Sequence, residues 1–214
     1  MENSLLQNLR QEYESAELNE TTILANPIAQ FEKWFNEAVQ AQLREPNAMT
    51  LATANVDFKP SARIVLLKGI EDGAFVFFTN YNSRKGKELL WNPYATLLFF
   101  WNELHRQVRV EGRVVKIDSQ KSDEYFLSRP LGSQLGAVAS PQSEVIENRK
   151  WLEEKLAEAE NNFAGKEILR PPHWGGYKVI PNTIEFWQGR TNRLHDRLLF
   201  TLINDDWKLE RLAP

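Results

Sequence analysis

Two hydrophobic rhythms divide the chain. In "PIAQFEKWFNEAVQAQLREP" (27–46), Ile28, Phe31, Phe35, Ala38 or Val39, and Leu43 recur at helical spacing. The pattern predicts an amphipathic helix opened by Pro27 and stopped by Pro46. From residue 49 the rhythm shortens to β-rich runs: "MTLATANV" (49–56), "ARIVLLK" (62–68), "AFVFFT" (74–79), "ATLLFFW" (95–101) and "RQVRVEGRVVKI" (106–117). "EDGA" and "NELH" supply turn signals between them. Ser83 predicts the N-cap of a short helix running to about Trp91. Further helices are expected over "SDEYFLSRP" (122–130) and after "SPQSE" (140–144), with Ser140 as N-cap and Pro141 in the first turn. Strands resume at "GYKVI", "TIEFWQ", "LLFTLI" and "WKLERL". So many short strands, mostly joined by tight turns, predict a mainly β fold: an antiparallel barrel with flanking helices.

Composition narrows the setting. The 214 residues suffice for one cored domain, and 42% hydrophobic with 26% charged residues is an ordinary globular balance. A formal net charge of -3 argues against bulk attraction to nucleic acid or anionic membrane, so any anion binding needs local clusters of base. Without cysteine there are no disulfides or thiolate metal sites. The mixed-charge N-terminus lacks a signal pattern, and "ATLLFFW" is too short to span a bilayer, so a cytoplasmic location is expected.

Candidate chemistry lies where base collects. Arg84, Lys85 and Lys87 crowd the first turn of the helix after Ser83, where the helix dipole already favours anions. Free N–H groups and cationic side chains there suit a phosphate, though a solvated charge run has the same pattern. Arg63 and Lys68 bracket an apolar strand, and their odd spacing puts them on opposite faces of regular β structure. In 106–114, Gln107, Arg109 and Glu111 share one face and Val108 and Val110 the other. Tyr125 and Arg129 lie four apart on one helix face, with Ser133 in the loop past Pro130. "WQGRTNRLHDR" (187–197) holds Arg190, Arg193, His195 and Arg197 beside Trp187. No G-x-G-x-x-G, Walker or G-x-S-x-G motif occurs, and three scattered histidines give no metal spacing. A phosphate-type helix start, two further cationic clusters and aromatics near a basic loop point to two phosphorylated planar ligands.

With "RIVLLK", "FFTNYNSRKGKEL", "QVRVEG", "YFLSRPLGSQLGAVASPQS", "WGGYKVIPNTIEFWQGRTNRLHDR" and the terminal "ERLAP", the chain resembles the pyridoxamine (pyridoxine) 5'-phosphate oxidase family from end to end. The resemblance implies an FMN-binding split β-barrel of Greek-key type over 27–214. It also implies a homodimer with FMN at the subunit interface, and a segment, 1–26, able to fold over the site. It assigns FMN contacts to Arg63, Ile64, Val65, Leu66, Leu67, Lys68, Phe78, Thr79, Arg84, Lys85, Gln107, Gln142, Ser143, Trp187 and Arg197. Substrate contacts fall to Arg10, Tyr13, Lys68, Tyr125, Arg129, Ser133, Arg193 and His195, the last two being the catalytic candidates. Gln11 and "ESAEL" depart from the family's pattern in that lid segment.

The implied reaction oxidises C4' of pyridoxine or pyridoxamine 5'-phosphate to pyridoxal 5'-phosphate, with O2 reduced to H2O2. No metal is implied. Alternatives are a split-barrel flavin or deazaflavin reductase, a non-catalytic carrier of FMN or pyridoxal phosphate, and a nucleic-acid-binding barrel. The last fits poorly with net acidity and the lack of a continuous basic-aromatic face.

Overall fold

The computed structural model describes residues 17–214, so Arg10, Tyr13 and most of the expected lid lie outside the described residues. The β-rich runs form nine strands: β1 (Ala48–Ala54), β2 (Pro60–Leu66), β3 (Gly69–Glu71), β4 (Ala74–Asn80), β5 (Tyr94–Trp101), β6 (Arg106–Lys116), β7 (Trp174–Gln188), β8 (Asp196–Ile203) and β9 (Asp206–Arg211). One sheet runs in the order β2-β1-β5-β6-β7-β4-β3, with β8 pairing both β7 and β9. The pairs β3–β4, β4–β7, β7–β8 and β8–β9 are antiparallel. The turn between β3 and β4 is Asp72-Gly73, both at positive φ, as a two-residue hairpin of that hand requires. The architecture is mainly β with helices, as expected.

Several boundaries differ from the sequence reading. Helix α1 (Pro27–Gln40) ends six residues before Pro46. Gln42 turns left-handed at φ 55, and the bonds Gln42 N to Val39 O and Leu43 N to Ala38 O close the helix. Leu43 therefore lies beyond it. Helix α2 (Arg84–Trp91) starts and stops as expected, and Ser83 caps it by accepting from Gly86 N. Helix α3 (Ser119–Ser128) is followed at once by α4 (Leu131–Ala139), unforeseen because Pro130 reads as a stop; a proline also suits a helix entrance. The helix expected from "SPQSE" is absent there. Ser140 instead ends α4, and α5 (Arg149–Asn162) begins after the cap Asn148, whose side chain accepts from Trp151 N. "GYKVI" and "TIEFWQ" form one strand, since Pro181 falls between the stretch of β7 paired with β4 and that paired with β8.

The chain packs as two compact units. One gathers the chain up to Met49 with Leu97–Glu111 and Asn182–Pro214; the other holds Thr50–Thr96 and Gly112–Pro181. The first is cored by aromatic residues: Phe31 packs on Phe99 at 4.8 Å, Trp34 on Phe186 at 5.3 Å and Phe186 on Phe200 at 5.9 Å. In the second, Phe126, Leu135, Ala159, Ile168 and Trp174 bring α3, α4, α5 and the start of β7 together. Burying side chains of this size stabilises by roughly 1.5–3 kcal/mol each, which holds the helices where the site needs them.

Candidate active site

A cavity of about 450 Å3 opens within the second unit. One wall is β2 and its exit, with Arg63, Ile64, Val65, Leu66 and Lys68. Phe78 and Thr79 of β4, Lys85 of α2, Tyr125 of α3, Arg129, Ser133 of α4, Gln142 and Trp174 complete the lining. Arg63 and Lys68 share it despite their odd spacing. The strand ends at Leu66, so Lys68 escapes the alternation that would set them on opposite faces. Leu67 turns instead into the core, 7% exposed. Arg129 lies just past the end of α3 in extended conformation, and Ser133 sits on a helix, yet both line the cavity with Tyr125.

Lys85 is the electrostatic centre. It is 8% exposed, and its Nζ lies 3.0 Å from Gln142 Oε1, 3.2 Å from Thr79 Oγ1 and 3.4 Å from Ser83 Oγ. All three partners are neutral. Burial, and then the nearby Arg63 charge, bring its pKa down to about 8, with Glu88 opposing. A buried cation with no ion pair among the described residues is poised for an anion. Arg129, half-buried, is a second cation with no ion pair among the described residues. Its Nη1 is buried without a hydrogen-bond partner, and burial pulls its guanidinium below the ordinary value.

Glu88 explains why the neighbouring cations differ from Lys85. Its carboxylate, 4% exposed, accepts from Thr53 Oγ1 at 2.5 Å, Ser61 Oγ at 2.7 Å, Arg84 Nε at 2.9 Å and Arg63 Nη2 at 3.2 Å. Burial opposes the charge, but those four hydrogen bonds outweigh it and bring the pKa down to about 2. Arg84 and Ser143 line a second cavity of about 460 Å3 on the same unit, with Gln142 common to both. Glu88 has no signal in the sequence beyond its place four residues after Arg84.

The first unit holds the remaining candidates. Gln107, Arg109 and Glu111 are half-buried while Val108 and Val110 are fully buried, as the alternation requires. Glu185, 2% exposed, accepts from Arg197 Nε at 2.7 Å and Arg109 Nη2 at 2.5 Å, and the Arg197 pKa is raised chiefly by that bond. Trp187 pairs across the sheet with Arg197, and its ring lies 4.6 Å from that of His195. Arg190 pairs with Glu17 at 3.1 Å and Asp196 at 3.6 Å. Arg193 is exposed and left-handed at φ 60 beside Asn192 at φ 55, a turn that costs strain in non-glycine residues. His195 Nδ1 accepts from Arg190 N at 3.1 Å. That bond places the proton of a neutral ring on Nε2, and burial, then the Arg193 charge, lower the His195 pKa. None of Gln107, Trp187, Arg193, His195 and Arg197 lines the 450 Å3 cavity. Among the described residues no group of three or more His, Asp or Glu could hold a metal ion.

Desolvated cations, neutral donors and acceptors, and walls of Ile64, Leu66 and Phe78 suit a phosphorylated planar ring system. This is the chemistry of FMN, and fold and site together define a split-barrel flavoprotein. Residues 35–163 match the family described as pyridoxamine 5'-phosphate oxidase, and 174–214 match the pyridoxine 5'-phosphate oxidase C-terminal dimerisation region. The chain belongs to the pyridoxamine 5'-phosphate oxidase family; FMN is its cofactor, and the dimerisation region supports a homodimer. It is 56% identical over 209 residues to a pyridoxine/pyridoxamine 5'-phosphate oxidase of Acaryochloris marina, covering 98% of this chain and 95% of that one. A protein of the same description from Paraburkholderia phytofirmans is 56% identical over 211 residues, covering 98% and 99%. Among solved structures, PhzG from Burkholderia lata in complex with tetrahydrophenazine-1-carboxylic acid superposes with a TM-score of 0.87 at 32% identity, covering 94% and 99%. A pyridoxamine 5'-phosphate oxidase-related, FMN-binding protein from Nostoc punctiforme shares the fold, with a TM-score of 0.69 at 16% identity, covering 86% and 97%.

Among the described residues no helix is long and apolar enough to cross a membrane.

Proposed function

We propose that the protein oxidises pyridoxamine 5'-phosphate and pyridoxine 5'-phosphate to pyridoxal 5'-phosphate, working as a cytoplasmic homodimer with FMN at the subunit interface. The observation that carries this reading is the pair of desolvated cations, Lys85 and Arg129, in one cavity with no carboxylate paired to either among the described residues. One phosphorylated ligand engages Lys85; a second engages Arg129. Lys85, Arg84 and Arg63 hold the FMN phosphate, with Thr79, Gln142 and Ser143 as polar partners and Ile64 to Leu67 and Phe78 as walls. Gln107, Trp187 and Arg197 serve the same cofactor. Lys68, Tyr125, Arg129 and Ser133 hold the substrate phosphate. Arg10 and Tyr13 contribute from the lid.

FMN, when bound, would supply a two-electron acceptor for the hydride leaving C4', with O2 as the final oxidant and H2O2 as its product. The protein's part is proximity and charge. Two phosphate anchors fix where each ring lies, which replaces a bimolecular encounter with an oriented one. Arg193, a fixed positive charge, stabilises negative charge on the substrate ring. His195, neutral and donating from Nε2, orients the substrate by hydrogen bonding.

The relation to PhzG favours a second reading, a carboxylate-bearing polycycle as substrate, since a carboxylate would also satisfy Arg129. Anaerobic addition of each compound to the FMN-loaded protein separates the two. Bleaching of the visible flavin bands by pyridoxine 5'-phosphate, reversed by air, is expected. Unchanged bands with that compound, together with bleaching by a dihydrophenazine carboxylate, would overturn the proposal.

A further inference from the structure

Arg129 is held in an unusual way for a cation with a buried, unbonded nitrogen. Its backbone is fixed: Arg129 O accepts from Gln134 Nε2 at 2.9 Å, and Arg129 N donates to Phe126 O at 3.2 Å. Among the described residues its side chain has no carboxylate partner. The guanidinium instead lies over the Trp174 ring, 4.5 Å from the centroid, with the Phe126 ring 5.7 Å away. Arginine stacks on indole through both its charge and its plane, and this leaves its N–H edge directed away from the ring face. A carboxylate in the same place would neutralise the charge. An aromatic face holds the group and leaves the charge available.

Trp174 is itself closely fixed. It is 7% exposed, at the first position of β7, with its N bonded to Pro171 O at 2.9 Å and its O accepting from Arg170 Nη1 at 2.6 Å. Its ring is nearly parallel to that of Tyr125 (7°, 6.2 Å) and to that of Phe78 (14°, 5.5 Å); Phe78 and Tyr125 stack at 3.8 Å. Trp174 thus touches three residues assigned to ligand contact, though it was not itself singled out from the sequence. Gly175 and Gly176 permit this approach. A Cβ on Gly175 would meet Tyr81 Oη at 2.2 Å, and one on Gly176 would meet Ile117 Cδ1 at 2.4 Å and Phe78 Cε1 at 2.9 Å.

We propose that Trp174 is a positioning residue, whose ring holds the Arg129 guanidinium uncompensated and aimed into the cavity so that it selects a phosphorylated ligand. This rests on the reading of Arg129 as a phosphate contact. The test is a double-mutant cycle on the FMN-loaded protein, with equilibrium affinity for pyridoxal 5'-phosphate and for unphosphorylated pyridoxal as the readout. W174L is expected to weaken pyridoxal 5'-phosphate about tenfold and pyridoxal less than twofold, with flavin content unchanged. In an R129A background the same substitution is expected to change neither by more than twofold. If W174L loses flavin, the cycle is read with W174F, whose smaller ring is expected to give about a threefold loss, again only when Arg129 is present. Equal losses with and without Arg129, or equal losses for both ligands, would overturn the role of Trp174 and leave the proposed reaction standing. A wild-type protein that binds pyridoxal as tightly as its phosphate would remove the phosphate reading itself, and this inference with it.

Discussion

The half-buried arginines of the first unit and two cations of the cavity in the second are treated in opposite ways. In the unit that contains "RTNRLHDR", base is dense, and its half-buried arginines are matched while the exposed Arg193 has no ion pair among the described residues. Arg190 meets Glu17 and Asp196, Arg197 and Arg109 meet Glu185, Arg106 meets Glu37, and Arg211 meets Glu20 and Asp196. In the cavity of the other unit, Lys85 and Arg129 have no ion pair among the described residues, although Glu88 lies close enough to Lys85 to act on its charge. Density of positive charge therefore says little about where an anion goes. What matters is which cations the fold has withheld from carboxylates, because only those retain a desolvation cost that a ligand can relieve.

The comparison can be inverted by substitution. Glu185→Leu would strip the buried acid from Arg109, which would keep Glu111 at 3.2 Å, and from Arg197, which would be left uncompensated. The expected cost is about 3 kcal/mol of stability, read by denaturant unfolding. Lys85→Met should stabilise the apoprotein at neutral pH, since it removes a buried uncompensated charge, but weaken FMN about 100-fold in equilibrium titrations of the apoprotein, roughly 2.7 kcal/mol. Arg190→Met, which removes a matched cation, should change FMN affinity less than twofold.

The smallest effect is in pH. Lys85 titrates near 8 in the folded chain and near its ordinary 10.5 when unfolded. Below pH 8 the folded chain carries the cost of burying that charge, and the cost fades as pH rises from 8 to 10.5. Anion binding runs the other way, since it needs the proton. FMN affinity should fall above pH 8, approaching about tenfold per unit from this group alone, and Lys85→Met should abolish that slope. A wild-type affinity that stays flat from pH 8 to 9.5 would show that Lys85 is not the anion's partner.

Much of this was legible in the sequence. The period-two runs gave the strands, Asp72-Gly73 gave a hairpin, and Ser83 followed by three basic residues marked the start of α2 as an anion candidate. Local rules failed where tertiary contacts decided. Pro130 reads equally as the end of one helix or the entrance to the next. Asn148, not Ser140, caps α5, and Gln42 ends α1 with a left-handed turn usually given to glycine. Nothing in "SRKGK" distinguishes Arg84, tied to Glu88, from Lys85, buried among neutral oxygens. That difference depends on Glu88 and Gln142, and Gln142 comes 57 residues further along the chain. Trp174 reads as one more core aromatic, and it is one; its second contact, with Arg129, appears only once α3 and β7 are brought together.

The glycine pair after Trp174 sets a limit on redesign. An engineer seeking a roomier or differently charged pocket would look first to residues that line it, and Gly175 and Gly176 do not. Yet a Cβ at either would enter space already taken by another side chain, so even alanine would press β7 against Tyr81, or against Ile117 and Phe78, and tilt the indole beneath Arg129. Variants there would present as poor ligand binders with every contact residue intact. The pocket's alignment is therefore locked by two residues that have no side chain and lie outside its lining.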